Sequence, residues 1–195
     1  MDHPSTKMRI LFVAVEMFSD NGYENASMRT IAKAVGIKAA SIYNHYASKR
    51  EILRSAYAYY KQQQQLVAPS LEELLRLAET EPVRDLLMRM DFRYPPGVME
   101  TIRRILIIAT HNCRDEDSKN FIRENVFDYL KATYIPLLNR LIELGRIAPI
   151  DAECFTNLLI YFALCSAALY RSDLSISEDQ WHRTLDLVFT LLAPG

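Results

Sequence analysis

Residues 26–53 read ASMRTIAKAVGIKAASIYNHYASKREIL. Ser27 is suited to begin a helix, because its hydroxyl can accept a backbone N–H that has no partner inside the helix. Ile31, Ala32 and Val35 follow at spacings that place them on one helical face. Gly36 ends that helix, since without a Cβ it can take the left-handed conformation in which helices commonly stop. The pattern then resumes, and a second short helix is expected from Lys38 to about Tyr46, with Ile42 and Tyr46 four apart on its buried side. Ser48 and Glu51 have the spacing of a capping box and open a third helix. Two short helices joined by a glycine-containing turn form a helix-turn-helix unit, whose second helix can enter the DNA major groove. Small residues (Ala32, Ala34, Ala39, Ala40) let the pair cross closely, and Lys38, Ser41, Tyr43, Asn44 and His45 are left on an outward face rich in donors. Such pairs also occur in helical proteins that never touch DNA, so spacing alone leaves DNA binding open.

Upstream, Ile10, Leu11, Ala14, Val15 and Phe18 give the stripe of an amphipathic helix from about Ser5 to Ser19, stopped by Asp20, Asn21 and Gly22. Downstream, the third helix reaches towards glutamines 62–65, read as its solvated end. Thr80 and Pro82 open a further helix that ends before Tyr94, and another runs through Ile102, Ile105, Leu106 and Ala109. Ser118 to Leu144 is helical by period, with Pro136 expected to kink or locally break it. Asp151 caps a nearly all-apolar helix to Tyr170, read as a buried helix too short to span a membrane. Ser177 caps the last helix, in which Trp181, Leu185, Val188 and Leu192 form a seam. No strand or repeat is evident, and five glycines in 195 residues argue against tight β-turns and glycine-rich phosphate loops. The fold class is all-α, with about nine helices.

Charge is unevenly spread. Residues 1–60 hold eight Lys or Arg against five acids, leaving 15 and 19 for the rest, so a head of net +3 precedes a body of net −4. That balance suits a polyanion at one end. Cys113, Cys154 and Cys165 have no framework spacing and read as reduced thiols of a cytoplasmic protein. The segment His111 to Ser118 is rich in acids but matches no zinc or calcium spacing, so no metal and no cofactor are expected. Nucleophile-elbow, His-Glu-x-x-His and Cys-x-x-Cys motifs are absent, which argues against an enzyme.

The stretch 26–53, with the lead-in ILFVAVEMFSDNGY at residues 10–23, closely resembles the signature of the TetR family of transcriptional regulators. The resemblance covers roughly residues 8–54. It implies a DNA-binding domain over 1–53, three helices with the helix-turn-helix, followed by an effector-binding and dimerisation domain over 54–195. It further implies that Tyr43, His45, Lys49 and Ser27 contact the phosphate backbone, that Arg29 can reach a base edge, and that Lys38, Ala39, Ala40 and Ser41 lead the reading helix, with Asn44 beside them. The chain departs from many relatives at Ala39 and Ala40, which offer only methyl contacts. A larger share of shape readout is therefore expected.

The resemblance also implies a homodimer on a palindromic operator, with a four-helix bundle made by the last two helices of each subunit. Phe155, Leu158, Phe162, Cys165 and Leu169, together with Trp181, Leu185, Val188 and Leu192, are the interface expected here. An unidentified small-molecule effector would lie among Phe92, Met99, Ile102, Leu106, His111, Tyr129, Tyr134 and Tyr161, a mostly apolar and aromatic set. No membrane partner is expected. The reading is a sequence-specific DNA-binding repressor; a helical adaptor or a small all-α enzyme without DNA binding is the alternative.

Overall fold

The computed structural model describes residues 4–88, 94–169 and 177–192, and among them every regular element is helical. Helix α1 (Thr6–Asn21) begins where the Ser5 hydroxyl accepts the Met8 N–H, buries Ile10, Leu11, Ala14, Val15 and Phe18, and stops at Gly22. It is followed by α2 (Met28–Val35), a 3-10 helix (Ser41–Asn44), α3 (Lys49–Val67), α4 (Leu71–Leu77), α5 (Val83–Met88), α6 (Pro96–His111) and α7 (Glu116–Ile122). A π-helical stretch (Arg123–Asp128) leads into α8 (Tyr129–Glu143), and α9 (Ala152–Leu169) and α10 (Glu178–Thr190) complete the order.

Four local readings change. Helix α4 was not foreseen: one apolar turn around the buried Leu74 carries too little periodicity, although Ser70 caps it by accepting the Glu73 N–H at 3.1 Å. Helix α8 runs through Pro136 without a break. The departure from α geometry lies earlier, at Arg123–Asp128, where Asn125 offers its carbonyl to the Gln64 side-chain amide at 3.2 Å. Gln64 is accordingly buried, so the glutamine run is not simply the solvated end of a helix. Finally, α9 is the one described helix long and apolar enough to cross a membrane by length and composition, yet only 22% of it is buried.

The residues fall into two compact units. The first comprises Met1–Gln63 and Tyr94–Ile122. In it α1 packs on α2 and α6, with Ile10, Ala14, Ile105 and Ala109 fully buried. Tyr57 stacks on Phe121 with ring centroids 4.2 Å apart, and its hydroxyl shares a 2.7 Å hydrogen bond with Ser118. Burial pushes that phenol well above the ordinary tyrosine range, so it stays protonated.

The second unit comprises Gln64–Arg93 and Arg123–Gly195. Its core gathers Leu137, Leu138 and Leu141 of α8 with Leu74, Leu86, Leu87, Ile147, Leu185, Phe189 and Leu192. The Arg146 guanidinium donates to the carbonyls of Ala78 and Glu81 at 2.6 and 2.7 Å, satisfying backbone groups exposed where α4 ends. The expected division at 53/54 falls within α3, a single helix.

Two substitutions separate packing from backbone conformation in the head. Ile42 is fully buried, and Ile42→Ala should cost about 2–5 kcal/mol of unfolding free energy. A Cβ at Gly36 would meet nothing within 4 Å, so Gly36→Ala should cost only the left-handed backbone, about 1–2 kcal/mol. Chemical denaturation of both variants checks the order; an equal loss would refute the conformational account of Gly36.

Candidate nucleic-acid interface

Helix α2 is held at both ends. The Ser27 hydroxyl accepts the Thr30 N–H at 3.1 Å, and the Thr30 hydroxyl accepts the Ser27 N–H at 2.9 Å, forming a capping box. Gly36, at φ 80°, donates to the Lys33 carbonyl, and Ile37 donates to that of Ala32 at 3.0 Å. This pair of bonds satisfies two end carbonyls and turns the chain out of the helix. Arg9 of α1 adds a third, donating to the Val35 carbonyl at 2.9 Å.

The next element differs from its sequence reading. Instead of an α-helix from Lys38 to Tyr46, the structure has a 3-10 helix over Ser41–Asn44. Ser41 donates to Lys38 and His45 to Ile42, both to the third residue back, while the Tyr46 N–H also reaches the Ile42 carbonyl at 3.0 Å. A segment this short gains little from helical propagation and takes the geometry its anchors demand. Those anchors are Ile42 and Tyr46, both buried. Burial raises the affinity of the Tyr46 hydroxyl for its proton, and that hydroxyl donates to the Lys7 carbonyl of α1 at 3.2 Å.

Around the anchors, Ser27, Arg29, Lys38, Ala39, Ala40, Tyr43 and Asn44 are exposed, Tyr43 by 57%, while Ser41 and His45 are half-buried. The head therefore offers cations, amide and hydroxyl groups and an aromatic ring on the side away from its core. Lys49 stands differently. Its ammonium donates to the Tyr23 carbonyl at 2.7 Å and lies 4.1 Å from the centre of the Tyr23 ring, with the Glu24 carboxylate at 3.8 Å. The expected phosphate ligand thus closes the corner between α1 and α2. Sequence reading missed this role, together with those of Arg9 and of Lys7, because the partners lie 25 to 39 residues away.

The expected effector residues are distributed over both units. Phe92 lies outside the described residues. Met99, Ile102, Leu106 and His111 belong to the first unit, and Tyr129, Tyr134 and Tyr161 to the second. His111 is exposed, Tyr134 is part of the second core, and Tyr161 is exposed with its ring edge-on to Phe127 at 5.7 Å. The aromatic set is split between packing and surface.

The expected dimer residues also divide. Leu185 and Leu192 are core, with Phe155 and Val188 packed against that core, so the seam on α10 faces inward. Phe162 and Leu169 are half-buried, and the Trp181 side chain lies outside what is described. The exposed apolar positions are Leu158 (60%), Tyr161 (62%) and Cys165 on α9, and Leu187 (61%) and Leu191 (73%) on α10. On α9 these recur at three and four residues, so they form one exposed apolar face of that helix among the described residues.

The model for bacterial regulatory proteins of the tetR family matches residues 10–56, the whole helix-turn-helix with most of α1 and the start of α3. Residues 10–56 thus carry the N-terminal, DNA-binding segment of that family. The chain is 28% identical over 197 residues to the biofilm operon icaADBC HTH-type negative transcriptional regulator IcaR of Staphylococcus epidermidis, an alignment covering 95% of this chain and 96% of that one. It is 40% identical over 50 residues to the HTH-type transcriptional regulator UidR of Escherichia coli, a match limited to 26% of either chain. Among solved structures, a transcriptional regulator from Saccharomonospora viridis, in complex with choline, superposes with a TM-score of 0.65 at 18% identity, covering 94% of this chain and 95% of its own. The protein is a helix-turn-helix DNA-binding transcriptional regulator.

Lys49→Met tests the corner. It should lower both DNA affinity and the thermal midpoint, because it removes a cation and the bond to Tyr23. An unchanged midpoint with weakened DNA binding would assign Lys49 to phosphate alone.

Proposed function

We propose that this chain is a homodimeric repressor of the TetR type that occupies a palindromic operator and leaves it when a small molecule binds its middle helices. The observation that carries the reading is the head itself, a capped α2 and a short second element around a left-handed Gly36, with Arg29 and Lys38 exposed beside it. In this reading Arg29, Lys38, Ser41 and Asn44 hydrogen-bond base edges, and Ala39 and Ala40 make methyl contacts. Ser27, Tyr43, His45 and Lys49 meet phosphates. Ser27 can do so while capping α2, because its oxygen accepts the Thr30 N–H and its own proton can turn outward. Lys49 has three donors, and one beyond its two carbonyl bonds can serve a phosphate.

Residues 1–53 form the reading domain of the proposal and 54–195 the regulatory one. The negative regulator IcaR, similar over nearly the full length, supports repression. The choline-bound regulator of the same fold supports a small effector, and here Met99, Ile102 and Leu106 of α6 are its first candidates. The protein works in the cytoplasm through binding rather than catalysis. Its effector must prefer one conformation over the other, since equal affinity for both would shift nothing.

In this reading the two-fold partner covers the exposed Leu158 and Tyr161 of α9 and Leu187 and Leu191 of α10. Fully burying one such leucine is worth about 1.5–3 kcal/mol. A charge there is accordingly decisive: Leu187→Arg should yield a monomer by light scattering and weaken palindrome binding more than tenfold. A dimer that persists would move the interface elsewhere.

Selection of random duplex DNA at near-physiological salt tests the whole reading. One recovered palindrome is the expected result, with affinity falling steeply as salt rises through release of counterions. A folded dimer that retains no sequence over another would overturn the reader in favour of an adaptor.

A further inference from the structure

Arg50 and Arg54 stand four residues apart at the start of α3 and count among the eight cations of the head. Both are engaged within the chain. Arg54 meets Asp117 with two prongs, Nε to Oδ2 at 3.0 Å and Nη2 to Oδ1 at 3.1 Å. Arg50 donates through Nε to Asp117 Oδ2 at 2.6 Å and through Nη2 to Asp115 Oδ1 at 3.1 Å. The other Asp115 oxygen accepts the Ser118 N–H at 3.1 Å, which fixes it at the start of α7.

A second fastening lies at the end of α1. Arg104 of α6, only 15% exposed, donates to Asp20 Oδ1 at 2.7 Å and to Ser19 Oγ at 2.9 Å, and is itself held by Glu100 at 2.8 Å. The last turn of α1 and the first turn of α3 are thus each tied to the corner formed by α6 and α7. An isolated exposed ion pair contributes little. Here two arginines and two aspartates share partners, one pair is bidentate, and the Asp117 side chain is only 21% exposed. Hydrogen bonds from Arg54 and then Arg50 hold its carboxyl below the usual aspartate range.

We propose that Arg50, Arg54, Asp115 and Asp117 form an ionic clamp that sets the orientation of the reading head, making Asp117 a positioning residue for operator recognition although it lies outside the reading elements. The inference rests on the DNA-reading role proposed above. A head free to tilt spends part of its time in orientations that do not match the groove, and apparent affinity falls by the competent fraction. Loosening harms specific binding most, because phosphate attraction tolerates many orientations and base contacts do not. Simple charge counting predicts the opposite sign: removing an acid and releasing two guanidinium groups should strengthen binding to any duplex.

The full-length wild type, D117A and the charge-swapped R50D/R54D/D117R are compared on the selected operator and on a scrambled duplex across a salt series. D117A should lose about tenfold on the operator while keeping its scrambled-duplex affinity and its salt slope. The swapped variant should regain most of that loss despite its more negative head. D117A binding the operator as well as wild type or better would overturn the clamp. So would a swapped variant weakened on both duplexes with a shallower salt slope, because that assigns the arginines to phosphate. Amide exchange of the free protein reads the clamp without DNA: D117A should exchange faster over residues 15–24 and 49–57, and unchanged exchange there overturns it. Wild type that fails to distinguish the duplexes would sink the DNA reading instead, and the exchange result would then judge the clamp alone.

Discussion

The reading head depends on reversing the chain after α2 while keeping Ile42 and Tyr46 against α1. Only a few residues separate Val35, the last of α2, from Ser41, and the turn must satisfy the end carbonyls of α2 as it leaves. The left-handed conformation of Gly36 does both at once, directing its own N–H and that of Ile37 back to Lys33 and Ala32. Everything exposed on the second element, from Lys38 to Asn44, takes its direction from that turn. The side chains proposed to read DNA and the side chains that hold the head are therefore interleaved in one short segment.

The head is also closed by groups remote in sequence. Arg9 reaches Val35, Tyr46 reaches Lys7, and Lys49 reaches Tyr23, so α1, α2 and α3 are joined by side chain to backbone bonds as well as by their shared apolar core. The Val35 carbonyl that Arg9 reaches, at the end of α2, is a group left without a helical partner, the kind that is costly to bury alone. The cationic residues of the head thereby divide into two kinds. Arg9, Lys49, Arg50 and Arg54 have intramolecular partners, whereas the side chains of Arg29 and Lys38 have none among the described residues. Net charge counted along the sequence does not make that distinction.

Helix α9 presents the opposite situation, an apolar surface with too few partners. Its sequence is hydrophobic on both sides; Ala152 joins the core of its unit and Ile160 is buried, while Leu158 and Tyr161 are exposed. On α10 the same sorting sends Leu185, Phe189 and Leu192 inward and Leu187 and Leu191 outward. A second copy supplies the missing partner in the function proposed here. Side chains of the same type thus serve fold and assembly on opposite faces of the same two helices.

The sequence by itself determined the helical class, the capped α2, the stops at Gly22 and Gly36, and the head as a DNA-reading unit. These rest on caps, turn glycines and an amphipathic period, all of which act within a few residues. Tertiary structure decided the rest. It shortened the second element to a 3-10 helix, buried Gln64 against the π-helical stretch, turned the Leu185–Leu192 seam inward and gave Lys49 to the Tyr23 corner. It also brought Asp115 and Asp117 to Arg50 and Arg54, across more than 60 residues of chain. Periodicity says that a helix has an apolar face but not which neighbour covers it, and a charge names no partner until the fold supplies one.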